Sequence, residues 1–191
     1  LPERIEIEEG LTLYRLNLQE ARNQSPVKEK RFLEKKSLKN MIYTLFGTHT
    51  EINHNQYGKP MLVGHNGNIS VSHNARWLLV LYSEQKAVGV DVEEIQDRML
   101  NIQSRFLSET EIPEHRNDKK ALTIAWCAKE AVLKCIGYKS ISFQKHLSIK
   151  NIDFSKSKLI IESVWPEGKG YFSVGWIEDE NQIITYATKQ D

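Results

Sequence analysis

The sequence predicts an α+β fold, and three observations carry that prediction. Two segments read as long helices, each stopped by a glycine, at Gly47 and Gly137. Short runs rich in Val, Ile, Leu and Tyr surround them, with the length and composition of strands. The order is strand, helix, strands, then strand, helices, strands, which reads as two similar α+β halves hinged near residues 84–86. The halves are taken as residues 1–85 and 86–191.

Residues 11–16 read as the first strand. Ser25 and Pro26 make an N-cap and first-turn pair for the helix that Gly47 ends. Within it Leu38, Met41, Ile42 and Leu45 follow the i, i+3, i+4, i+7 spacing of a buried stripe. Asn66-Gly67 is a hairpin turn signal before a strand at 69–72, and further strands follow at 77–82 and 87–92. Ser108-Glu109-Thr110-Glu111 matches a capping box, with Pro113 shortening or kinking the helix it would open. Asp118 is the N-cap of the helix that ends at Gly137. Strands at 158–164, 171–176 and 183–188 read as a β-meander.

Composition narrows the function by exclusion. The chain of 191 residues can bury a real core as one ordinary domain or two small ones. Charged residues at 27% and hydrophobic ones at 40% give a globular balance. A formal net charge of +1 argues against a broad basic face for nucleic acid. Cys127 and Cys135 share one predicted helix outside any CxxC spacing, so no disulfide framework or zinc site is expected, and a reducing cytoplasm fits. The most apolar run, 77–82, is too short to cross a bilayer, and Glu3, Glu6, Glu8 and Glu9 are unlike a signal peptide. Absence of a P-loop, a G-x-G-x-x-G fingerprint and a G-x-S-x-G elbow removes support for triphosphate hydrolysis, Rossmann redox chemistry and α/β-hydrolase chemistry.

Two segments carry chemistry. Gly89-Val90-Asp91-Val92-Glu93 reads as a strand whose carboxylates, at i and i+2, share a face. Trp126-Cys127-Ala128-Lys129-Glu130-Ala131-Val132-Leu133-Lys134 reads as a helix with Glu130 and Lys134 one turn apart. Taken alone, an Asp-x-Glu strand end is usually a solvated edge, and Glu130 with Lys134 a surface pair contributing ~0.3–0.5 kcal/mol. Brought together, three carboxylates and a lysine make a magnesium site with a cation beside it, which suits phosphate chemistry.

Three further motifs stand in order around them: Tyr57-Gly58-Lys59-Pro60, Ser72-His73-Asn74, and Phe106-Leu107-Ser108-Glu109-Thr110-Glu111. Together these segments resemble the signature of the 4′-phosphopantetheinyl transferases, in particular the surfactin-synthetase-activating type. The resemblance spans residues 31–147. It implies a pseudo-dimer of two related subdomains with the active site in the cleft between them, and transfer of 4′-phosphopantetheine from coenzyme A to a serine of an apo acyl or peptidyl carrier protein.

The resemblance also implies roles. Asp91, Glu93 and Glu130 would hold Mg²⁺, with Mn²⁺ as a substitute. Glu130 would accept the serine proton, and Lys134 would serve the leaving phosphate. Lys59 and Pro60 would touch the coenzyme A phosphates, and Ser72 and His73 the 3′-phosphate, although a turn with an exposed lysine and a structural histidine are the plainer readings of those residues. Asn74 stands where the family usually has serine. Lys36 stands where it usually has an arginine for the 3′-phosphate, keeping the charge but losing the bidentate fork. Residues 95–106 mix Met99, Leu100 and Ile102 with Arg98 and Arg105, a surface for a carrier's acidic helix or equally an ordinary core-facing segment. No nucleic-acid or membrane partner is expected, and a monomer is the economical arrangement. The rival readings are a magnesium-dependent phosphoesterase acting on coenzyme A or a nucleotide, and a non-catalytic coenzyme A-binding module.

Overall fold

The computed structural model describes residues 1–23, 29–111 and 117–190. The fold is α+β, with two antiparallel sheets, and the chain divides into two compact units, Leu1–Lys86 and Ala87–Asp191.

In the first unit β1 (Glu3–Glu8) and β2 (Leu11–Asn17) form a hairpin through Gly10, whose φ of 74° is a left-handed turn conformation that glycine adopts without strain. Then come α1 (Leu18–Asn23), α2 (Lys30–Phe46), β3 (Glu51–His54), β4 (Pro60–Val63), β5 (Asn68–His73) and β6 (Trp77–Ser83). The sheet order is β1-β2-β6-β5-β4-β3. α2 lies on it as its stripe predicts: Met41 and Ile42 are buried with Leu18, Ile69, Leu78 and Val80, and Leu38 and Leu45 pack around them. Gly47, at φ 93°, ends the helix. The Ser25-Pro26 start lies outside the described residues; in the described chain Glu29 precedes the first turn.

Four elements here, β1, α1, β3 and β4, are additional to the sequence reading. β1 alternates Ile with Glu and Arg, so its apolar signal is thin, and it stands at a sheet edge where charged side chains suit exposure. α1 is only six residues long and too short to show a period.

The second unit begins with β7 (Val88–Glu94) and α3 (Arg98–Ile102), then a 3₁₀ turn at Gln103–Arg105. α4 (Lys119–Ile136), α5 (Phe143–His146), β8 (Leu147–Asp153), β9 (Lys158–Trp165), β10 (Gly168–Asp179) and β11 (Gln182–Lys189) complete it. β8 to β11 form a meander, and β11 returns beside β7 to give the order β7-β11-β10-β9-β8. β8 was not expected: Lys150, Asn151 and Asp153 dilute its apolar pattern, and its register shifts between Ile149 and Asn151.

α4 is the central element. Asp118 caps it, accepting from the N–H groups of Lys120 and Ala121, and Gly137 ends it at φ 70°. Its Ile124, Cys127, Ala128, Ala131, Val132 and Cys135 enter the core formed with Ile161, Phe172, Val174 and Ile183. Among the described residues no helix is long and apolar enough to cross a membrane.

Most of the helix that a Ser108–Glu111 capping box would open falls at residues 112–116, outside the described residues. Residues 108–111 form a turn, and Pro113 lies outside the described residues. Glu111 does accept from the Ser108 N–H at 2.7 Å, half of the box, but its carboxylate is buried and committed to Lys129 of α4.

Gly89 sets how close α4 lies to β7. A Cβ there would overlap the Ala131 carbonyl oxygen and stand 2.6 Å from the Cys135 nitrogen, both backbone atoms. Gly89→Ala must therefore push helix and strand apart, and is expected to cost about 3 kcal/mol or more in urea unfolding. A change below about 0.5 kcal/mol would refute this account of the contact.

Candidate active site

β7 and α4 bring together all four second-unit residues singled out from the sequence. Asp91 is buried at the middle of β7, opposite Thr185 of β11, whose hydroxyl donates to the Cys127 carbonyl of α4. Lys134 donates to Asp91 Oδ1 at 2.7 Å. Glu130, one turn earlier on α4, is half-buried beside the same strand. Glu93 receives two donors: Arg98 of α3 to Oε2 at 2.8 Å and the Trp126 indole N–H to Oε1 at 3.0 Å.

The electrostatics of this group are in conflict. Burial raises Glu130, the Asp91 and Glu93 charges raise it further, and Lys134 offsets only part, so its pKa is pushed up to about 7. Glu93 is likewise raised by burial and then by Asp91, against the Trp126 and Arg98 hydrogen bonds that lower it. The Asp91 charge thus makes both glutamates harder to ionise. Burial pushes the Cys127 thiol well above its ordinary value, so it stays protonated and is no nucleophile.

The chemistry of this donor set fits a hard divalent cation: carboxylate oxygens, partly withdrawn from water, whose repulsion a cation would relieve. Among the described residues, however, no three His, Cys, Asp or Glu side chains converge into a metal cage, because Lys134, Arg98 and Trp126 engage two of the acids.

The remaining singled-out residues lie in the first unit. Antiparallel pairing of β3 with β4 and β4 with β5 puts the turn at Tyr57–Lys59 and His73 at one end of that sheet. Asn55 Oδ1 accepts from the N–H groups of Tyr57 and Lys59, which shapes the turn before Pro60. Ser72 is buried and His73 exposed. Asn74, in the place of a serine, shapes its own turn, where its Oδ1 accepts from the N–H groups of Arg76 and Trp77.

Beside His73 is a hollow of about 250 Å³ lined by Arg31, Glu34, Lys35, Leu38 and Leu78. Glu34 is 3.8 Å from His73 Nδ1, 3.7 Å from Arg22 and 3.9 Å from Lys30. Lys36 is exposed and is not among the residues lining the hollow. Helical spacing was the available signal: Arg31, Lys35 and Leu38 are i, i+4, i+7, whereas Lys36 is turned about 100° from Lys35. In residues 95–106 the apolar side chains are turned inward while the polar ones stay mostly exposed. Met99 and Phe106 are buried, Leu100 and Ile102 pack against them, and Arg98 holds Glu93.

Fold and cluster define an α+β unit that sets acids and a lysine between one strand and one helix. A family model described as the 4′-phosphopantetheinyl transferase superfamily matches residues 87–187, just over half of the chain. The chain belongs to that superfamily, and so to transferases that move a phosphopantetheinyl group. Against curated proteins it gives no match.

The Glu130 shift has a consequence for stability. With a folded pKa of about 7 against an ordinary 4.5, the folded chain keeps a proton that the unfolded chain has released between those values. The contribution is therefore fully present below about pH 4.5 and is lost as pH rises through about 7, by roughly 2–3 kcal/mol. In EDTA, Glu130→Gln is expected to melt above wild type at about pH 8, with the difference closing at about pH 5. An equal difference at both pH values would contradict the assignment.

Proposed function

We propose that this protein transfers the 4′-phosphopantetheinyl group of coenzyme A to a serine hydroxyl of an apo acyl or peptidyl carrier protein, with Mg²⁺ or Mn²⁺. One observation carries the reading: the family's acidic positions, Asp91, Glu93 and Glu130, share one strand–helix contact with Lys134. Two sheet-and-helix units in one chain support the surfactin-synthetase-activating type.

In this reading Asp91, Glu93 and Glu130 hold the cation, which when bound neutralises charge on the pyrophosphate. The serine oxygen attacks the phosphorus that bears pantetheine, forming the new P–O bond. The P–O bond to 3′,5′-ADP breaks, and the nucleotide leaves with its electron pair. Glu130 would accept the serine proton, its pKa drawn below the cation-free value of about 7 when the cation is bound. Lys134, already held beside the acids, offers its ammonium to the leaving phosphate. Arg31 and Lys35, with His73, suit the nucleotide's phosphate, with Lys59 and Pro60 at the same sheet end; Lys36 would add charge only from outside the hollow. Ser72 is buried and would bear on the nucleotide only indirectly. On the 95–106 segment Arg105 stays exposed for an acidic carrier helix.

Intact-protein mass spectrometry of an apo carrier protein with coenzyme A and Mg²⁺ tests the reading. A gain of one phosphopantetheinyl group, abolished by EDTA, is expected, and Asp91→Ala should slow it by about 100-fold or more. Coenzyme A cleaved without carrier modification would replace the reading with a phosphoesterase; coenzyme A bound but intact would replace it with a binding module.

The nucleotide assignment has its own check. Arg31→Ala and Lys35→Ala should each weaken adenosine 3′,5′-bisphosphate binding about tenfold, and Lys36→Ala less than about twofold. The reverse order in calorimetry would return the role to Lys36.

A further inference from the structure

Three conspicuous features of the sequence remain outside that mechanism: the aromatic Trp126 that opens the helix motif, the lysine before Glu130, and the Phe106-to-Glu111 motif. The structure joins them into one frame. Lys129 is fully buried, and its ammonium donates to Glu111 at 2.8 Å, to the Phe106 carbonyl at 2.7 Å and to the Phe143 carbonyl at 3.2 Å. An ammonium has three protons, so its donors are matched by three acceptor groups. Glu111 in turn accepts from the N–H groups of Ser108 and Ile149. The node ties α4 to the turn at 106–111, to α5 and to β8.

The two residues whose carbonyls Lys129 holds also carry the rings that enclose Trp126. Phe106 meets the indole edge-to-face and Phe143 meets it tilted, each with centroids 5.3 Å apart. The indole has a single N–H, and it is aimed at Glu93 Oε1 at 3.0 Å.

We propose that Trp126 is a positioning residue that fixes the Glu93 carboxylate within the acidic cluster, held in orientation by the Lys129–Glu111 frame through Phe106 and Phe143. The inference rests on the proposed role of Glu93 as a cation ligand. Arg98 orders the other oxygen, Oε2, from the exposed side, so the indole controls the oxygen on the inner side. Without the N–H the carboxylate can turn on its side chain, and each cation bound must then stop that rotation.

The test is Mn²⁺ binding, followed by calorimetry with the metal alone, in wild type and Trp126→Phe. The substitution keeps an aromatic ring between Phe106 and Phe143 and removes the donor, together with some ring volume. Mn²⁺ affinity is expected to fall about tenfold with little change in melting temperature. The transfer rate lost at low Mn²⁺ should return at saturating Mn²⁺, a recovery that a loss of structure would not show. Should Trp126→Phe fail to fold, wild-type protein carries the decision. The Trp126 indole proton, assigned through Glu93→Gln, should be protected from exchange and shift on Mg²⁺ titration. Equal Mn²⁺ affinity in the two proteins, or an indole proton indifferent to Mg²⁺, overturns the positioning role alone. A wild type that binds no Mn²⁺ overturns the reading of Glu93 as a ligand and the inference with it.

Discussion

Everything chemical in the second unit depends on the close approach of α4 to β7 at Gly89. The strand has no Cβ there, and the helix presents the Ala131 backbone, so the two main chains meet without a side chain between them. Asp91 is two residues beyond this contact, and Glu130 and Lys134 flank Ala131 on the helix. The spacing of the acids therefore follows from backbone contact rather than from a loop. Thr185 adds a second fastening, its hydroxyl donating to the Cys127 carbonyl from the strand beside β7. A group built on a packed helix and a sheet strand is held more tightly than one carried by loops.

Two lysines on the same helix show how differently an ion pair can be used. Lys129 and Glu111 are both out of water, at 0% and 2% side-chain exposure. Desolvation on that scale offsets most of the attraction, so the pair's value is in specificity: removing either partner would strand a buried charge. Lys134 and Asp91 form an equally short pair, but Lys134 is 30% exposed. Water can replace its partner there at much lower cost. One lysine locks the scaffold while the next, five residues on, can exchange one anion for another.

How much of this was legible in the sequence depended on whether the signal was local. The stripe of α2, the Asp118 cap, the Gly137 stop and the last three strands followed from period and turn chemistry, which act over a few residues. β1 and β8 did not, since pairing with a neighbour holds them together more than their own apolar content. The second use of the capping-box acid was hidden for a similar reason. Glu111 forms its local bond to Ser108, but a lysine 18 positions away claims the same carboxylate, and no spacing rule reports that. In the cluster, Asp91, Glu93, Glu130 and Lys134 were visible as residue types at regular intervals. The Trp126 and Arg98 bonds to Glu93 were not, because they depend on side-chain directions across three elements. That Arg31 and Lys35 line one hollow follows from the helical face of α2, which a reading by charge alone does not use.

Local consistency and its exceptions also indicate where the chemistry is. Outside the cluster several described charges are matched in pairs: Arg15 with Glu3, Lys86 with Glu8, Lys120 with Glu178, Lys150 with Glu162. Exposed pairs of this kind contribute little to stability, yet they show acids and bases placed to agree. At β7 and α4 the pattern reverses. Three acids crowd against two nearby cations, and Glu130 has to rise to about 7. Burial that raises one carboxylate could be removed by a single polar substitution, and a helix surface offers room for one. A group that keeps such a conflict suits the cation proposed above, which would resolve it. The charge needed is positive and compact, and Lys134 supplies only part of it while remaining exposed enough to move.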